Sequence, residues 1–343
     1  MSSPKLVESL RRATGDANPS LTNAVIPSLL RGIARTASAL RRAHSVETAG
    51  SDNAFGDAQL NVDVLAEEFF RQELAACPAV VTASSEEDPV ESDMSTTTTT
   101  DNNANADNND DDVYAVAFDP LDGSSIIGPN WSVGSILGVW EGRSAVNQDP
   151  RKQVAAVLGV FGPRTTAVVA VRIPGREADA VCLEVGLSGN DGGDDAAADG
   201  SCEIIRSDVR LNAEGASKTR YFAPANLRAA AEDEKYMRLV TRYIQEKYTL
   251  RYSGGLVPDV VHALVKGHGV YLSPVTAGSK AKLRRAFELL PVALIVECAG
   301  GKAIDPANGQ RILETPLANL DEKSGLVCGT AEEVEKVKVA LLG

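Results

Sequence analysis

The chain has 343 residues, of which 43% are hydrophobic and 24% are charged, so one large domain or two packed domains can form a sizeable core. Its 47 acidic and 34 basic residues give a formal net charge of −13, which argues against a protein that binds nucleic acid or an anionic membrane surface. No apolar run approaches the roughly 18 residues that span a bilayer. The acidity lies mostly in segments 86–112 and 191–203, which contain no lysine or arginine. Because such tracts bury little apolar area, we expect acidic loops at 88–112 and 188–203.

The N-terminal region 21–42 is rich in arginine and contains no acidic residue. Its apolar residues recur at helical spacing, and Pro27 indicates that the helix begins near that position. We therefore expect an amphipathic helix of the mature fold, with a cleaved transit peptide as the alternative.

The five cysteines are odd in number, and their spacing matches no zinc site. This usage is typical of a protein in a reduced compartment, and we expect a cytoplasmic location with an organelle left open. A pairing of Cys182 with Cys202 is left as an alternative.

Hydrophobic patterning then predicts alternating helices and strands. In chain order they are a helix at Asp63–Leu74, strands at Val113–Phe118, Val133–Trp140 and Thr165–Ile173, a helix at Leu227–Tyr248, a strand at Gly269–Leu272, and helices at Ser279–Leu290 and Ala331–Leu342. Pro291 is expected to end the Ser279–Leu290 helix. The pattern is that of an α/β or α+β protein with two packed domains, 1–212 and 213–343.

The most informative segment runs from Phe118 to Ser125 and reads Phe-Asp-Pro-Leu-Asp-Gly-Ser-Ser. Asp119 and Asp122 follow an apolar strand and would lie close together across a tight turn. Two such anions favour a bound cation, and carboxylate oxygens suit a hard divalent metal. The following glycine and serines would supply backbone N–H groups and hydroxyls to a phosphate. An ordinary Asp-Pro turn closed by Asp-Gly is the simpler alternative.

Two further acidic groups precede this motif. Glu86 and Glu87 end a strand-like run, which by itself is more often a solvated surface segment. Asp57 follows a glycine, and Asp63 lies at the start of an apolar helix, where a helix cap is the simpler interpretation. Combined with the Asp119–Asp122 motif, they predict a site for two or three metal ions, in which Mg²⁺ clamps a phosphate and lowers the pKa of a water molecule.

These residues resemble the fructose-1,6-bisphosphatase and sedoheptulose-1,7-bisphosphatase family. The matching motifs are Gly56-Asp57, Ser85-Glu86-Glu87, Asp119 to Ser125, Gly162-Pro163-Arg164-Thr165-Thr166, Arg251-Tyr252-Ser253-Gly254-Gly255, Lys282 to Glu288 and Ala299-Gly300-Gly301. The sedoheptulose branch is favoured by Ile126, where fructose enzymes usually have Asn, and by the segments 162–166 and 247–252. Inositol monophosphatases share the Asp-Pro-x-Asp-Gly core but usually continue with Thr, and we rank them third.

The resemblance implies a layered α-β-α-β-α sugar phosphatase fold and assigns a role to each matching residue. Its implied metal ligands are Asp57, Glu86, Glu87, Asp119, Asp122 and Glu288, with the carbonyl of Leu121. It implies that Glu87 and Asp63 orient and deprotonate the attacking water. Its implied substrate contacts are Gly123, Ser124, Ser125 and Arg284 for the scissile phosphate or the sugar, and Asn226, Tyr252 and Lys282 for the distal phosphate, with Arg251 reaching a neighbouring subunit's site.

One predicted helix would carry Lys282, Arg284 and Glu288 together, and the alternative is a surface helix with an Arg284–Glu288 pair. The three histidines match no role in the family and are expected to be structural or exposed. Trp131 and Trp140 are expected in the core.

The function that the resemblance implies is Mg²⁺-dependent hydrolysis of the 1-phosphate of sedoheptulose 1,7-bisphosphate by a homodimer or homotetramer, with Mn²⁺ as a substitute ion. No nucleic acid or membrane partner is expected. A fructose-1,6-bisphosphatase or an enzyme of dual specificity is the near alternative, although Ser273-Pro274 stands where fructose enzymes have Tyr-Pro. A non-catalytic regulator that binds sugar phosphates is the alternative from another class.

Overall fold

The computed structural model describes residues 3–52, 58–94, 112–188, 201–213 and 215–343. Their α-helices are α1 (Pro4–Thr14), α2 (Ile26–Arg42), α3 (Asn61–Ala75), α4 (Ser124–Ile127), α5 (Glu234–Gln245), α6 (Leu256–Lys266), α7 (Leu290–Cys298) and α8 (Ala331–Leu342). Single π-helical turns lead into α2 and α7, at Leu21–Val25 and Arg285–Leu289. Short 3₁₀ turns lie at Pro150–Lys152, Glu177–Asp179, Leu227–Ala231 and Ile312–Glu314.

The strands form two large sheets and two small ribbons. They are β1 (Thr48–Asp52), β2 (Ala58–Leu60), β3 (Val80–Ser85), β4 (Ser92–Asp93), β5 (Tyr114–Asp122), β6 (Val133–Glu141), β7 (Gln153–Phe161), β8 (Thr165–Val171), β9 (Val181–Leu187), β10 (Cys202–Arg206), β11 (Tyr221–Pro224), β12 (Thr249–Leu250), β13 (Val270–Ser273), β14 (Leu283–Arg284), β15 (Lys302–Ile304), β16 (Lys323–Ser324) and β17 (Leu326–Gly329). The first sheet has the order β10-β9-β8-β7-β6-β5-β3-β4, and the second has the order β12-β11-β13-β17-β15. The ribbons pair β1 with β2 and β14 with β16.

The two sheets alternate with three layers of helices. On the eight-stranded sheet, Val116 and Phe118 pack with the α1, α2 and α3 side, while Ala115 and Ala117 pack with the α6 and α7 side. The five-stranded sheet shares this middle helix layer on one face and packs against α5 and α8 on the other. Successive residues of a strand point to opposite faces, so both sheets are covered on both sides. The expected α-β-α-β-α layering is confirmed.

The arginine-rich N-terminal region forms a buried part of this fold. The π-turn at Leu21–Val25 leads into α2, whose residues Leu29, Leu30 and Ile33 are fully buried in the first core. The predicted amphipathic helix near Pro27 is therefore confirmed.

Two predicted helices differ from the structure. The segment 279–290 is not one helix, since Arg284 is extended in β14 and Glu288 lies in the π-turn before α7. Pro291 does not end a helix but occupies the first turn of α7, where a missing N–H costs nothing. The predicted long helix 227–248 is interrupted because Asp233 caps a new helix, its side chain accepting the N–H groups of Lys235 and Tyr236.

Smaller differences concern a strand, a tryptophan and a cysteine. β5 continues four residues beyond the predicted Phe118 and ends at Asp122. Trp140 lies in the core as predicted, but Trp131 is 54% exposed, so its assignment to the core is wrong. Cys182 and Cys202 form no disulfide bond, since both are free cysteines. The domain boundary near residue 212 stays a prediction.

Candidate active site

Three carboxylates converge at the end of β5. Oxygen atoms of Asp119, Asp122 and Glu288 all lie within 4.8 Å of one another, and all three residues are buried. A bulge makes this possible, because Asp119 and Asp122 are three positions apart but pair with Ile136 and Gly134, which are two apart. The extra residue brings two side chains that a regular strand would point to opposite faces toward the same side.

Backbone N–H groups hold each carboxylate in place. Asp119 Oδ1 accepts a hydrogen bond from Leu121 N at 2.9 Å, and Glu288 Oε2 accepts one from Arg284 N at 2.5 Å. Asp122 accepts hydrogen bonds from two N–H groups at the start of α6, Leu256 at 3.3 Å and Val257 at 2.7 Å. The cluster therefore joins β5, α6 and the turn before α7.

A glycine allows α6 to approach this strand. Gly134 pairs with Asp122 across the sheet, and a Cβ at Gly134 would lie 2.4 Å from Val257 Cβ. Such a contact is too short for a real side chain, so only glycine leaves room for the Val257 N–H to reach the Asp122 carboxylate.

The cluster concentrates acidic groups in one buried place, as a cation site does. Burial raises the pKa of Asp119 well above its usual range, and the charges of Glu86, Asp122 and Glu288 act in the same direction. Burial raises the pKa of Asp122 to about 7, although the N–H groups of Val257 and Leu256 oppose the shift. Burial, with Glu86, also raises the pKa of Glu288. Oxygen ligands gathered at this density fit a hard divalent cation, which would relieve the repulsion between them.

Glu86 lies beside this cluster, and Glu87 follows it in the turn after β3. Glu86 N donates to Phe118 O at 3.0 Å, which places the turn after β3 next to the end of β5. Glu86 Oε1 accepts a hydrogen bond from Arg284 Nε at 2.9 Å. Glu87 Oε2 accepts one from the Gln59 side-chain amide.

The contacts of Asp63 fit both a helix cap and a group that accepts a proton. Its Oδ2 accepts the Leu60 N–H at 2.9 Å at the start of α3, as a helix cap does. Its Oδ1 is buried and has no hydrogen-bond partner among the described residues. Burial raises the pKa of Asp63 to about 7, with the Glu87 and Glu86 charges acting in the same direction and the Leu60 N–H opposing them. A carboxylate with one buried oxygen to spare is suited to accept a proton.

The segment after β5 exposes polar groups next to the cluster. Gly123 adopts φ 97°, and the exposed Ser124 and Ser125 open α4, which is a single turn. Leu121, whose carbonyl is an expected ligand, is itself buried between Asp119 and Asp122.

The expected distal-phosphate residues lie on the other half of the chain. Tyr252 Oη donates to Ala225 O at 3.0 Å, and the neighbouring Asn226 side chain donates to Pro274 O at 2.7 Å. The Tyr252 side chain thus contacts the residue that precedes Asn226. Lys282 is exposed just before β14, and the exposed Arg251 donates to Leu250 O at 2.8 Å. Asp57, the remaining expected ligand, lies outside the described residues.

Comparison with known proteins identifies the family. Residues 7–186 match the description "Fructose-1-6-bisphosphatase, N-terminal domain", and residues 216–342 match "Fructose-1-6-bisphosphatase, C-terminal domain". The chain belongs to the fructose-1,6-bisphosphatase family. The family's members are sugar bisphosphatases, so the protein is a phosphoric monoester hydrolase by membership.

Some relatives in the family are named for sedoheptulose 1,7-bisphosphate and others for fructose 1,6-bisphosphate. The chain is 36% identical to the chloroplastic sedoheptulose-1,7-bisphosphatase of Spinacia oleracea over 85% of its own length and 67% of that protein. It is 34% identical to a class 1 fructose-1,6-bisphosphatase of Syntrophotalea carbinolica over 86% of its length and 81% of that protein.

Solved structures of the family share the fold. A crystal structure of a proposed sedoheptulose-1,7-bisphosphatase from Toxoplasma gondii has a TM-score of 0.82, with 33% identity and 99% of both chains covered. The fructose-1,6-bisphosphatase of Leishmania major in its holo form has a TM-score of 0.76, with 25% identity and 96% of both chains covered.

Among the described residues, no helix combines the length and apolar character that crossing a bilayer requires.

Some residues that shape this family site were not anticipated. Gln59 contacts Glu87, and Asp259 Oδ1 accepts the Ser253 N–H at 2.8 Å, which holds the segment after Tyr252. Glu67 and Arg71 contact the turn that carries Glu86 and Glu87. The spacing of Asp63, Glu67 and Arg71 at intervals of four, on one face of a helix, was the available signal.

Proposed function

We propose that the protein is a Mg²⁺-dependent sugar bisphosphatase that hydrolyses the 1-phosphate of sedoheptulose 1,7-bisphosphate to give sedoheptulose 7-phosphate. The observation that carries the proposal is the buried Asp119–Asp122–Glu288 cluster beside Glu86. Sedoheptulose bisphosphate is favoured because the Spinacia oleracea and Toxoplasma gondii relatives carry that name at 36% and 33% identity. Ser273, in place of the tyrosine usual in fructose enzymes, supports the same choice.

The three clustered carboxylates fit a divalent cation, and we expect two or three Mg²⁺ ions per subunit, with Mn²⁺ as a substitute. The ions would be held by Asp57, Glu86, Glu87, Asp119, Asp122, Glu288 and the Leu121 carbonyl. When bound, they neutralise phosphoryl oxygens and lower the pKa of a water molecule.

The chain's own groups position the reactants and accept a proton. Asp63 and Glu87 orient the attacking water and take its proton through buried or partly buried carboxylate oxygens. The water oxygen bonds to phosphorus, the bond from phosphorus to the C1 oxygen breaks, and the sugar oxygen receives a proton. Gly123, Ser124, Ser125 and Arg284 contact the transferred phosphate or the sugar.

The distal phosphate is held in the second half of the chain, by Asn226, Tyr252 and Lys282. Arg251 would reach the site of a neighbouring subunit in a homodimer or homotetramer. Two packed domains, 1–212 and 213–343, would contribute the two ends of the substrate site. A cytoplasmic location stays our preference, with an organelle open because the plant relatives are chloroplastic.

Two alternatives remain open to test. Relatives such as the Syntrophotalea carbinolica enzyme are named for fructose 1,6-bisphosphate, so fructose or dual specificity is the second candidate. A non-catalytic regulator would bind sugar phosphate without releasing phosphate, but the carboxylates of the described cluster are all in place.

The test compares Glu87→Ala with His262→Ala in phosphate release. Glu87 lies in the turn after β3, where its charge acts on Asp63, whereas His262 packs edge-on against Tyr221 with the ring centroids 4.8 Å apart. Glu87→Ala should abolish release and His262→Ala should retain it. Equal activity in both variants would refute the role of Glu87. Binding without release in the wild type would favour the regulator.

A further inference from the structure

The turn that carries Glu86 and Glu87 is closed on itself. Ser85 N donates to Asp88 O at 3.0 Å, and Asp88 N donates back to Ser85 Oγ at 3.0 Å. The two glutamates therefore lie between a pair of residues whose spacing is fixed. Whatever holds Ser85 and Asp88 also sets the direction of Glu86 and Glu87.

Glu67 and Arg71 of α3 hold both ends of this turn. Glu67 Oε1 accepts hydrogen bonds from Ser85 Oγ at 2.9 Å and from Arg71 Nε at 2.6 Å. Arg71 Nη2 lies 3.2 Å from Asp88 Oδ2 and 3.5 Å from Ser85 Oγ. One ion pair thus contacts the residue before Glu86 and the residue after Glu87.

This pair is poorly suited to a purely stabilising role. Its side chains are only 16% and 22% exposed, and Glu67 Oε2 is buried without a hydrogen-bond partner among the described residues. A carboxylate left partly unsatisfied in this way costs desolvation free energy, and a buried pair adds little net stability. Burial accordingly raises the pKa of Glu67, with the Arg71 charge opposing the shift.

The same helix also carries Asp63. Asp63 and Glu67 are four positions apart on α3 and therefore lie on one face, toward the end of β3. Through Glu67 and Arg71, α3 fixes the turn relative to Asp63. One helix therefore carries both Asp63, the proposed proton acceptor, and the two residues that contact the turn of Glu86 and Glu87.

We propose that Glu67 and Arg71 are positioning residues that hold Glu86 and Glu87 in the orientation required for metal binding. This inference rests on the proposed function of the site. Groups that orient metal ligands typically change metal affinity by about 10-fold to 100-fold when they are removed. Neither Glu67 nor Arg71 needs to contact the metal or the substrate for this effect.

The matched control is Glu73 on the same helix. Glu73 pairs with Arg31 at 2.7 Å and Arg35 at 3.0 Å, and its side chain is 14% exposed, close to the 16% of Glu67. Its partners lie on α2 and not on the turn. Glu73→Ala therefore removes a comparable ion pair from α3 without touching Ser85 or Asp88.

The experiment titrates wild type, Glu67→Ala, Arg71→Ala and Glu73→Ala with Mn²⁺ alone, following the free-ion signal by electron paramagnetic resonance. The Mg²⁺ concentration for half-maximal phosphate release is measured in parallel. We expect Mn²⁺ affinity to fall about tenfold in Glu67→Ala and Arg71→Ala, with a matching rise in the half-maximal Mg²⁺ concentration. The KM for the sugar bisphosphate at saturating Mg²⁺ should change less than about twofold, and Arg71→Lys should recover part of the affinity. Glu73→Ala should match the wild type in both titrations.

Two milder variants cover the case in which the alanine variants do not fold. Ser85→Ala keeps every charge and removes the hydroxyl that links Glu67 to the turn and also accepts the Asp88 N–H. Glu67→Gln keeps the turn's own hydrogen bonds and the shape of the side chain, so it tests the Glu67 contact alone. Both should weaken Mn²⁺ binding in the same direction. Titration curves of the folded variants that overlie the wild type would overturn the inference, and so would an equal loss of affinity in Glu73→Ala. A wild type that binds no Mn²⁺ and releases no phosphate would instead refute the proposed function.

Discussion

Arg284 Nε lies 2.9 Å from Glu86 Oε1, and this contact joins residues 198 positions apart in the chain. Arg284 is the largest fully buried side chain among the described residues, whereas the side chain of Glu86 is 24% exposed. The backbone N–H of Arg284 also donates a hydrogen bond to the Glu288 carboxylate. A single arginine therefore ties the end of β3 to the turn before α7 and compensates part of the negative charge between them.

Replacing Arg284 by alanine should damage both activity and stability. The loss leaves Glu86 beside three buried carboxylates without this cation, so kcat/KM for the sugar bisphosphate should fall by about 100-fold or more. The free energy of unfolding in urea should fall by about 2 kcal/mol. Arg238→Ala is the control, because Arg238 forms an exposed pair with Glu234. Wild-type kinetics in Arg284→Ala would contradict the role given to this contact.

Neutralising one ligand should stabilise the metal-free protein. In Asp119→Asn, one of three mutually repelling carboxyl groups whose oxygens lie within 4.8 Å becomes a neutral amide, so the melting temperature without metal should rise, by an amount equivalent to about 1 kcal/mol. Added Mg²⁺ should raise the melting temperature of the wild type and leave that of Asp119→Asn nearly unchanged. Both effects are measured by thermal unfolding without Mg²⁺ and at Mg²⁺ concentrations that rise in roughly 10-fold steps. An equal Mg²⁺ shift in the two proteins would exclude Asp119 as a ligand.

Adding one methyl group at Gly134 should displace α6. A Cβ there would lie 2.4 Å from Val257 Cβ, and the nearby Val257 N–H would lose its hydrogen bond to Asp122. We expect Gly134→Ala to lower the free energy of unfolding by about 1–3 kcal/mol and to reduce kcat by about tenfold. Gly128→Ala is the matched control, because a Cβ at Gly128 meets nothing within 4 Å. If both variants behave alike, the close approach at Gly134 does not matter for the site.

Glu333 should make the protein less stable in acid. Burial alone would raise the pKa of Glu333, but hydrogen bonds involving His268, Tyr248 and Lys336 lower it to about 2. Because the folded pKa lies below the unfolded value, the stabilisation is complete above about pH 5 and is lost as the pH falls toward 2.

The comparison of wild type with Glu333→Gln measures this contribution. The wild type should be the more stable protein at pH 7, by at most about 3 kcal/mol, and the difference should shrink between pH 5 and pH 3. Urea unfolding at several pH values gives the two curves. A difference that does not depend on pH would show that the Glu333 charge is not responsible.

Residue patterns predicted an α/β or α+β protein and the Asp119–Asp122 pair, and the family resemblance supplied the layered fold and Glu288. Asp119 and Asp122 were found because an apolar strand led directly into them, and the α8 bounds were set by a clear helical repeat. The structure adds the bulge that turns both side chains to one side, a feature that no local pattern encodes.

The predictions that failed depended on contacts distant in sequence. Arg284 lies in an extended segment because β14 pairs with β16, where Lys323 is its cross-strand neighbour. Local spacing does not reveal this strand pairing. Glu67 was not singled out from the sequence, because its contact with Ser85 joins residues 18 positions apart. Trp131 was assigned to the core on residue type alone, and type does not fix burial.

The most direct test measures phosphate release from purified protein with sedoheptulose 1,7-bisphosphate and with fructose 1,6-bisphosphate, each with and without Mg²⁺. We predict release from sedoheptulose 1,7-bisphosphate that requires Mg²⁺, with a kcat/KM higher than that for fructose 1,6-bisphosphate. Faster turnover of the fructose substrate would contradict the sedoheptulose assignment, and release that persists after Mg²⁺ is removed by chelation would contradict the metal site itself.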